Sequence, residues 1–179
     1  LISIASADLN DGLVAYYPFN GNADDESGNG HNGTVSGASL AQDQFGEDER
    51  AYSFDGVNDY INIGNHLKPP FPFTIVVWVK MNSVDSFAST VFESDLWNSG
   101  GQGYYGANIA IGAGGSLGGW YGDGGYAGPS SRRGKGTFTS HPIMTDKWQH
   151  VAVKFNAHLD MDLYVDGQKQ ESNWDNGTG

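Results

Sequence analysis

Residues 73–81, FTIVVWVKM, limit the fold more than any other stretch of the chain. β-Branched and aromatic side chains lose rotamer freedom in a helix and pack well on a pleated surface, so the run favours a strand. Its near-continuous apolar character predicts a central buried strand with Trp78 in the core. WQHVAVKFN (148–156) and MDLYVDG (161–167) place apolar residues at alternate positions. That predicts a hairpin with one face in a core, and Trp148 is expected to be buried there too. ANIAIG (107–112) and SLGGWYGD (116–123) predict a second hairpin. LVAYYPF (13–19), two short strands within AYSFDGVNDYINIG (51–64), and STVFESDLW (89–97) complete the set. No segment carries helical periodicity, and 27 glycines punctuate the runs. The expected architecture is all-β, an antiparallel two-sheet sandwich or jelly roll.

With 179 residues the chain can bury one sizeable core, and residues 8–179 are expected to form a single domain. Residues 1–7, ending Ala5-Ser6-Ala7, have the small-residue pattern of a signal-peptidase site. We read them as a signal-peptide remnant, which makes the protein secreted or cell-surface; the alternative is an ordinary first strand. The net charge of −12 disfavours nucleic acid and anionic membranes as partners. The lack of cysteine excludes disulfides, thiolate metal sites and cysteine nucleophiles. No run is long and apolar enough for membrane insertion.

The loop NGNADDESGNGHNG (20–33) crowds three carboxylates among glycines and asparagines. From Asp25 it reads D-E-S-G-N-G-H, oxygen-bearing side chains at alternate positions and then a sixth-position glycine. That is the first half of a calcium-loop rhythm. The twelfth position is Ser36 and not Glu, so this is not an EF-hand. The residues alone leave two readings open, a Ca²⁺ loop and an acidic turn held by Asx-type hydrogen bonds. In the first reading Asp25 is the main carboxylate and Asp24 the second. Ser27 and Asn29 donate oxygens, and a backbone carbonyl near His31 completes the set. The other histidines show no zinc-type spacing with His31.

A second group of residues points to binding. Tyr104, Tyr105, Trp120, Tyr121 and Tyr126 lie on or beside glycine-rich stretches. Flat aromatic faces stack on the C–H faces of sugars, and glycines let a ligand approach the backbone. Arg132 and Arg133 offer bidentate hydrogen bonds to a carboxylate or sulfate. A hydrolase is disfavoured. Glu93 and Asp95 fit the start of an E-x-D-x-x-E strand, but its last position is Asn98, so the second carboxyl of a retaining mechanism is missing.

GLVAYYPFNGNADDESGNGHNG, YSFDGVNDYINIG, FTIVVWVK and WQHVAVKFNAHLDMDLYVDGQ stand in the order and spacing of the LamG-like jelly-roll family. Over residues 12–168 the chain resembles these concanavalin A-like lectin/glucanase sandwiches. The resemblance implies the sandwich fold and a structural Ca²⁺ in the opening loop. It also implies further strands after the LYVDG hairpin, so the chain is expected to lack its C-terminal strands. The expected function is a secreted, calcium-stabilised carbohydrate-binding module of a larger enzyme or adhesin, with a glycan or polysaccharide as partner. The alternatives are a protein-interaction or cell-adhesion module without a glycan site, and a fragment of a glycoside hydrolase or polysaccharide lyase.

Overall fold

The structure is a computed structural model, and it describes residues 8, 10–64, 69–84, 89–94, 105–123, 132–137, 141–157 and 160–174. The expected signal remnant, residues 1–7, lies outside the described residues. Contacts gather into two compact units, Leu1–Leu67 and Lys68–Gly179.

The first unit is built from short strands and hydrogen-bonded turns. Its strands are β1 (Thr34–Ser36), β2 (Ser39–Ala41), β3 (Ala51–Ser53) and β4 (Tyr60–Asn62). The two strands expected in 51–64 form, but not with each other: β1 pairs with β4 and β2 with β3, both antiparallel. The turn between β3 and β4 closes on carboxylates. Asp55 Oδ1 accepts from the N–H groups of Val57 and Asn58, and Asp59 Oδ2 accepts from Asp55 N–H. The strand expected at 13–19 joins no ladder. Its backbone is satisfied elsewhere: Tyr16 N–H donates to the Asp25 carboxylate, and Tyr16 C=O accepts from Glu26 N–H. A backbone paired with a folded loop has no need of a neighbouring strand.

The second unit is a two-layer sandwich. One sheet combines β5 (Phe73–Lys80), β10 (Trp148–Ala157), β11 (Asp160–Val165) and β12 (Gln168–Lys169), in the order β12-β11-β10-β5. The other combines β6 (Ser89–Glu93), β7 (Tyr105–Ile111), β8 (Leu117–Asp123), β9 (Arg132–Thr137) and β13 (Ser172–Trp174), in the order β13-β9-β8-β7-β6. Both expected hairpins are present, β7–β8 across a short 3₁₀ turn (Ala113–Gly115) and β10–β11. Every ladder is antiparallel among the described residues, as an all-β jelly-roll sandwich requires.

Alternation decides what enters the core. Ile109, Ile111 and Leu117 face inward from one sheet, and Val151, Val153, Phe155, Met161 and Leu163 from the other; all are fully buried. Phe73 stacks on Phe155 with ring centroids 4.7 Å apart, within the 4.5–7 Å range of favourable aromatic pairs. On β5 the odd-numbered residues Phe73, Ile75, Val77 and Val79 pack against this core. The expectation that Trp78 is a core residue is therefore wrong. It lies on the opposite face, 46% exposed, with Val76 beside it and the His150 ring edge-on at 5.3 Å. Trp148 is half-buried. Nor is β5 central, because it ends its sheet among the described residues. A run apolar on both faces is not thereby buried on both. No helix among the described residues is long and apolar enough to cross a membrane.

Candidate functional site

The acidic loop is organised around one side chain. Asp25 is 9% exposed, and its two oxygens face backbone N–H groups. Oδ1 accepts from Tyr16 and Ser27, each at 2.9 Å, and Oδ2 accepts from His31 at 3.0 Å. Gly28 and Gly30 have φ of +88° and +79°, a region costly for side-chain-bearing residues, and they curl the chain until His31 N–H reaches the carboxylate. Burial alone would raise the Asp25 pKa. Hydrogen bonds from Tyr16 N–H, the Ser27 hydroxyl, His31 N–H and Ser27 N–H outweigh it and hold the carboxyl well below the usual range. Tyr17 is pushed up to about 12, first by burial and then by the Asp25 charge. Its hydroxyl donates to the His31 carbonyl at 2.6 Å.

These partners test the expected Ca²⁺ site. The ion needs ~6–8 oxygens converging at about 2.3–2.6 Å. Here the Asp25 oxygens meet donors, and Asn29 turns its Nδ2 to the carbonyls of Leu13 and Val14, at 3.0 Å each. Ser27 Oγ accepts from Asn29 N–H, and the His31 carbonyl is taken by Tyr17. Asp24 is exposed, and its N–H donates to Asn22 Oδ1. Among the described residues no group of three or more His, Cys, Asp or Glu gathers. In this arrangement the Asp25 carboxylate ties the loop together through backbone N–H donors, while Ser27 Oγ and the His31 carbonyl accept from Asn29 N–H and the Tyr17 hydroxyl.

The second candidate is the face of the five-stranded sheet turned away from the core. On β8, Leu117 is fully buried, a Cβ on Gly119 would strike Val153, and Tyr121 packs against the core cluster, so odd positions point inward. Trp120 points the other way. Tyr121, expected beside it as a sugar platform, has its ring 4.6 Å from Phe71 and 6.3 Å from both Phe73 and Phe155. That is a packing role, a correction that follows from period two. Tyr105 stands opposite Asp123, Arg132 opposite Gly122 and Arg133 opposite Tyr121 in the ladders. Tyr104 and Tyr126 lie outside the described residues, as do Trp97, Asp95 and Asn98.

The register aligns Glu93, Asn108, Trp120 and Gly134 in one row across β6, β7, β8 and β9. Glu93 is exposed and Trp120 half-buried. Asn108 is only 9% exposed, yet its amide makes no hydrogen bond among the described residues. Alternation in ANIAIG already placed it on the outer face, but nothing in the sequence set it apart. Beside the row, Ala110, Gly118 and Gly136 form a floor of small residues. The Trp120 six-membered ring lies over Gly118, where a Cβ would collide with three ring carbons. Gly118→Ala is thus expected to move the ring off the sheet. The change would appear as a shift in tryptophan fluorescence, and an unaltered spectrum would contradict it.

A family model described as the concanavalin A-like lectin/glucanases superfamily, of the laminin G type, matches residues 55–178. Neither the curated proteins nor the solved structures contain a match to the chain. The family match spans most of the sequence, including all of the strands that make up the sandwich. The chain belongs to the concanavalin A-like lectin/glucanase superfamily.

Proposed function

We propose that the protein is a carbohydrate-binding module that takes its glycan on the outer face of the five-stranded sheet. The observation that carries this reading is the row of Trp120, Asn108 and Glu93 over a floor of small residues. A buried amide without a partner costs about 1–3 kcal/mol, and sugar hydroxyls supply both the donors and the acceptors it lacks. The Trp120 ring offers a surface for C–H stacking. Glu93 accepts from a further hydroxyl. Among the described residues the row carries a single carboxylate, and Asn98 stands where an E-x-D-x-x-E strand would have its second glutamate, which suits binding better than hydrolysis by a carboxyl pair. An extracellular setting belongs to the same proposal.

A glycan array probed with the whole chain tests it. At least one glycan class should bind, and Trp120→Ala or Asn108→Ala should each weaken binding about tenfold or more, some 1.4 kcal/mol. Neither variant should change the circular-dichroism spectrum. An array without signal would turn the assignment toward a protein-interaction module. Binding indifferent to both substitutions would remove this face from consideration, and release of reducing sugar by the chain alone would favour the hydrolase alternative.

A further inference from the structure

A pocket lies far along the chain from the Trp120 row. It is a half-open pocket of about 350 Å³ where the segment 141–147, the start of β10 and the β11–β12 turn meet. Two glutamines line it, Gln149 (3% exposed) and Gln170 (6% exposed). Gln149 is engaged at both ends of its amide. Its Oε1 accepts from Met144 N–H at 2.6 Å, and its Nε2 donates to Asp166 Oδ2 at 3.3 Å. Asp166 Oδ1 in turn accepts from His150 N–H, while Lys147 Nζ stands 3.9 Å from Oδ2.

Gln170 is not so served. Its backbone N–H donates to Leu163 C=O and its Nε2 to Gln168 C=O, each at 2.8 Å. Its Oε1 accepts no hydrogen bond among the described residues. Buried acceptors are nearly always paired in folded proteins, so one left open on a cavity wall marks a place where a donor is received. One water occupies about 30 Å³, far less than this cavity holds. The volume falls at the lower end of the ~300–1,000 Å³ of small-ligand pockets. Met144 and Val165 give the wall an apolar side, and Lys147 and Asp166 a charged rim.

We propose that this cavity is a second ligand site, one that receives a single sugar ring or a similarly sized cyclic polyol. A ring hydroxyl donates to Gln170 Oε1, another engages the Lys147–Asp166 pair, and the C–H face lies on Met144 and Val165. None of these residues belongs to the Trp120 row, so the site is independent of the function proposed above.

The test is NMR titration of the ¹⁵N-labelled chain with methyl glucoside, methyl galactoside and methyl xyloside, with glycerol as a control too small to fill the cavity. At least one pyranoside should shift the Gln170 and Gln149 side-chain amide signals saturably, with a Kd in the ~mM range, near 4 kcal/mol. Gln170→Met, which keeps the side-chain length and removes the acceptor, should weaken that binding about tenfold. If that variant does not fold, Met144→Trp, made at a position 47% exposed, should fill the mouth and abolish the shifts. Trp120→Ala should leave them unchanged. Absence of saturable shifts with every pyranoside would overturn the proposal. So would equal shifts with glycerol, or shifts that survive both Gln170→Met and Met144→Trp.

Discussion

Replacing Asp25 with alanine is expected to cost the first compact unit about 3 kcal/mol, a large share of the stability of so small a fold. The side chain accepts three backbone N–H bonds from residues separated by up to fifteen positions, Tyr16, Ser27 and His31. Each bond to a charged acceptor contributes roughly 1.5–3 kcal/mol, and the three share one carboxylate, so they do not add in full. Amide hydrogen exchange gives the clearest readout. Protection at Tyr16, Ser27 and His31 should fall about a hundredfold, which corresponds to some 3 kcal/mol of local opening. Unaltered protection at these three amides would refute the clamp.

The same carboxylate gives the unit an acid limb. In the folded chain Asp25 titrates well below its usual value, whereas in the unfolded chain it titrates near 4. The charged form is the one the fold favours. Its contribution is therefore complete above about pH 4 to 5 and is lost as the pH falls toward the depressed folded value. Asp25→Asn should flatten that limb. Because the clamp uses N–H donors, EDTA should leave the melting temperature of the wild-type chain unchanged. A fall on chelation, reversed by added Ca²⁺, would restore the metal reading.

Phe155→Ala should have the other large effect, about 3–5 kcal/mol against the second unit. Phe155 is fully buried, stacked on Phe73 at 4.7 Å and flanked by Tyr121 at 6.3 Å. Removing its ring leaves a void between two sheets that cannot close without shifting paired strands, so little relaxation offsets the loss. Urea unfolding measures the change. Phe155→Leu should recover much of it, and a loss under about 1 kcal/mol for alanine would mean that the sheets are not packed as described.

The sandwich was legible because period two was written into its strands. Leu117, Gly119 and Tyr121 share a face with one another and not with Trp120, and that could be counted from SLGGWYGD alone. Trp78 was misread because a continuous apolar run does not say whether both faces are covered. The ladders show that Trp78 sits opposite His150 on the face away from the core. The acidic loop is ambiguous in sequence for a different reason. Oxygens spaced for a cation and oxygens spaced for N–H groups look alike in sequence, and only the direction of the Asp25 carboxylate separates them. Asn108 and Gln170 were passed over because an amide, or an amide oxygen, that meets no partner among the described residues is a property of the folded surroundings.

The small-residue floor also makes the sheet easy to instrument. Gly136 faces Gly118 across the ladder, and among the described residues a Cβ there would meet only Ser116 Oγ, at 4.0 Å. The chain has no thiol of its own. A cysteine introduced at that position would therefore be the sole attachment point for a dye, held one strand away from the indole that covers Gly118. A fluorophore placed there would report occupancy of the surface directly, without altering the interior that keeps the two layers together.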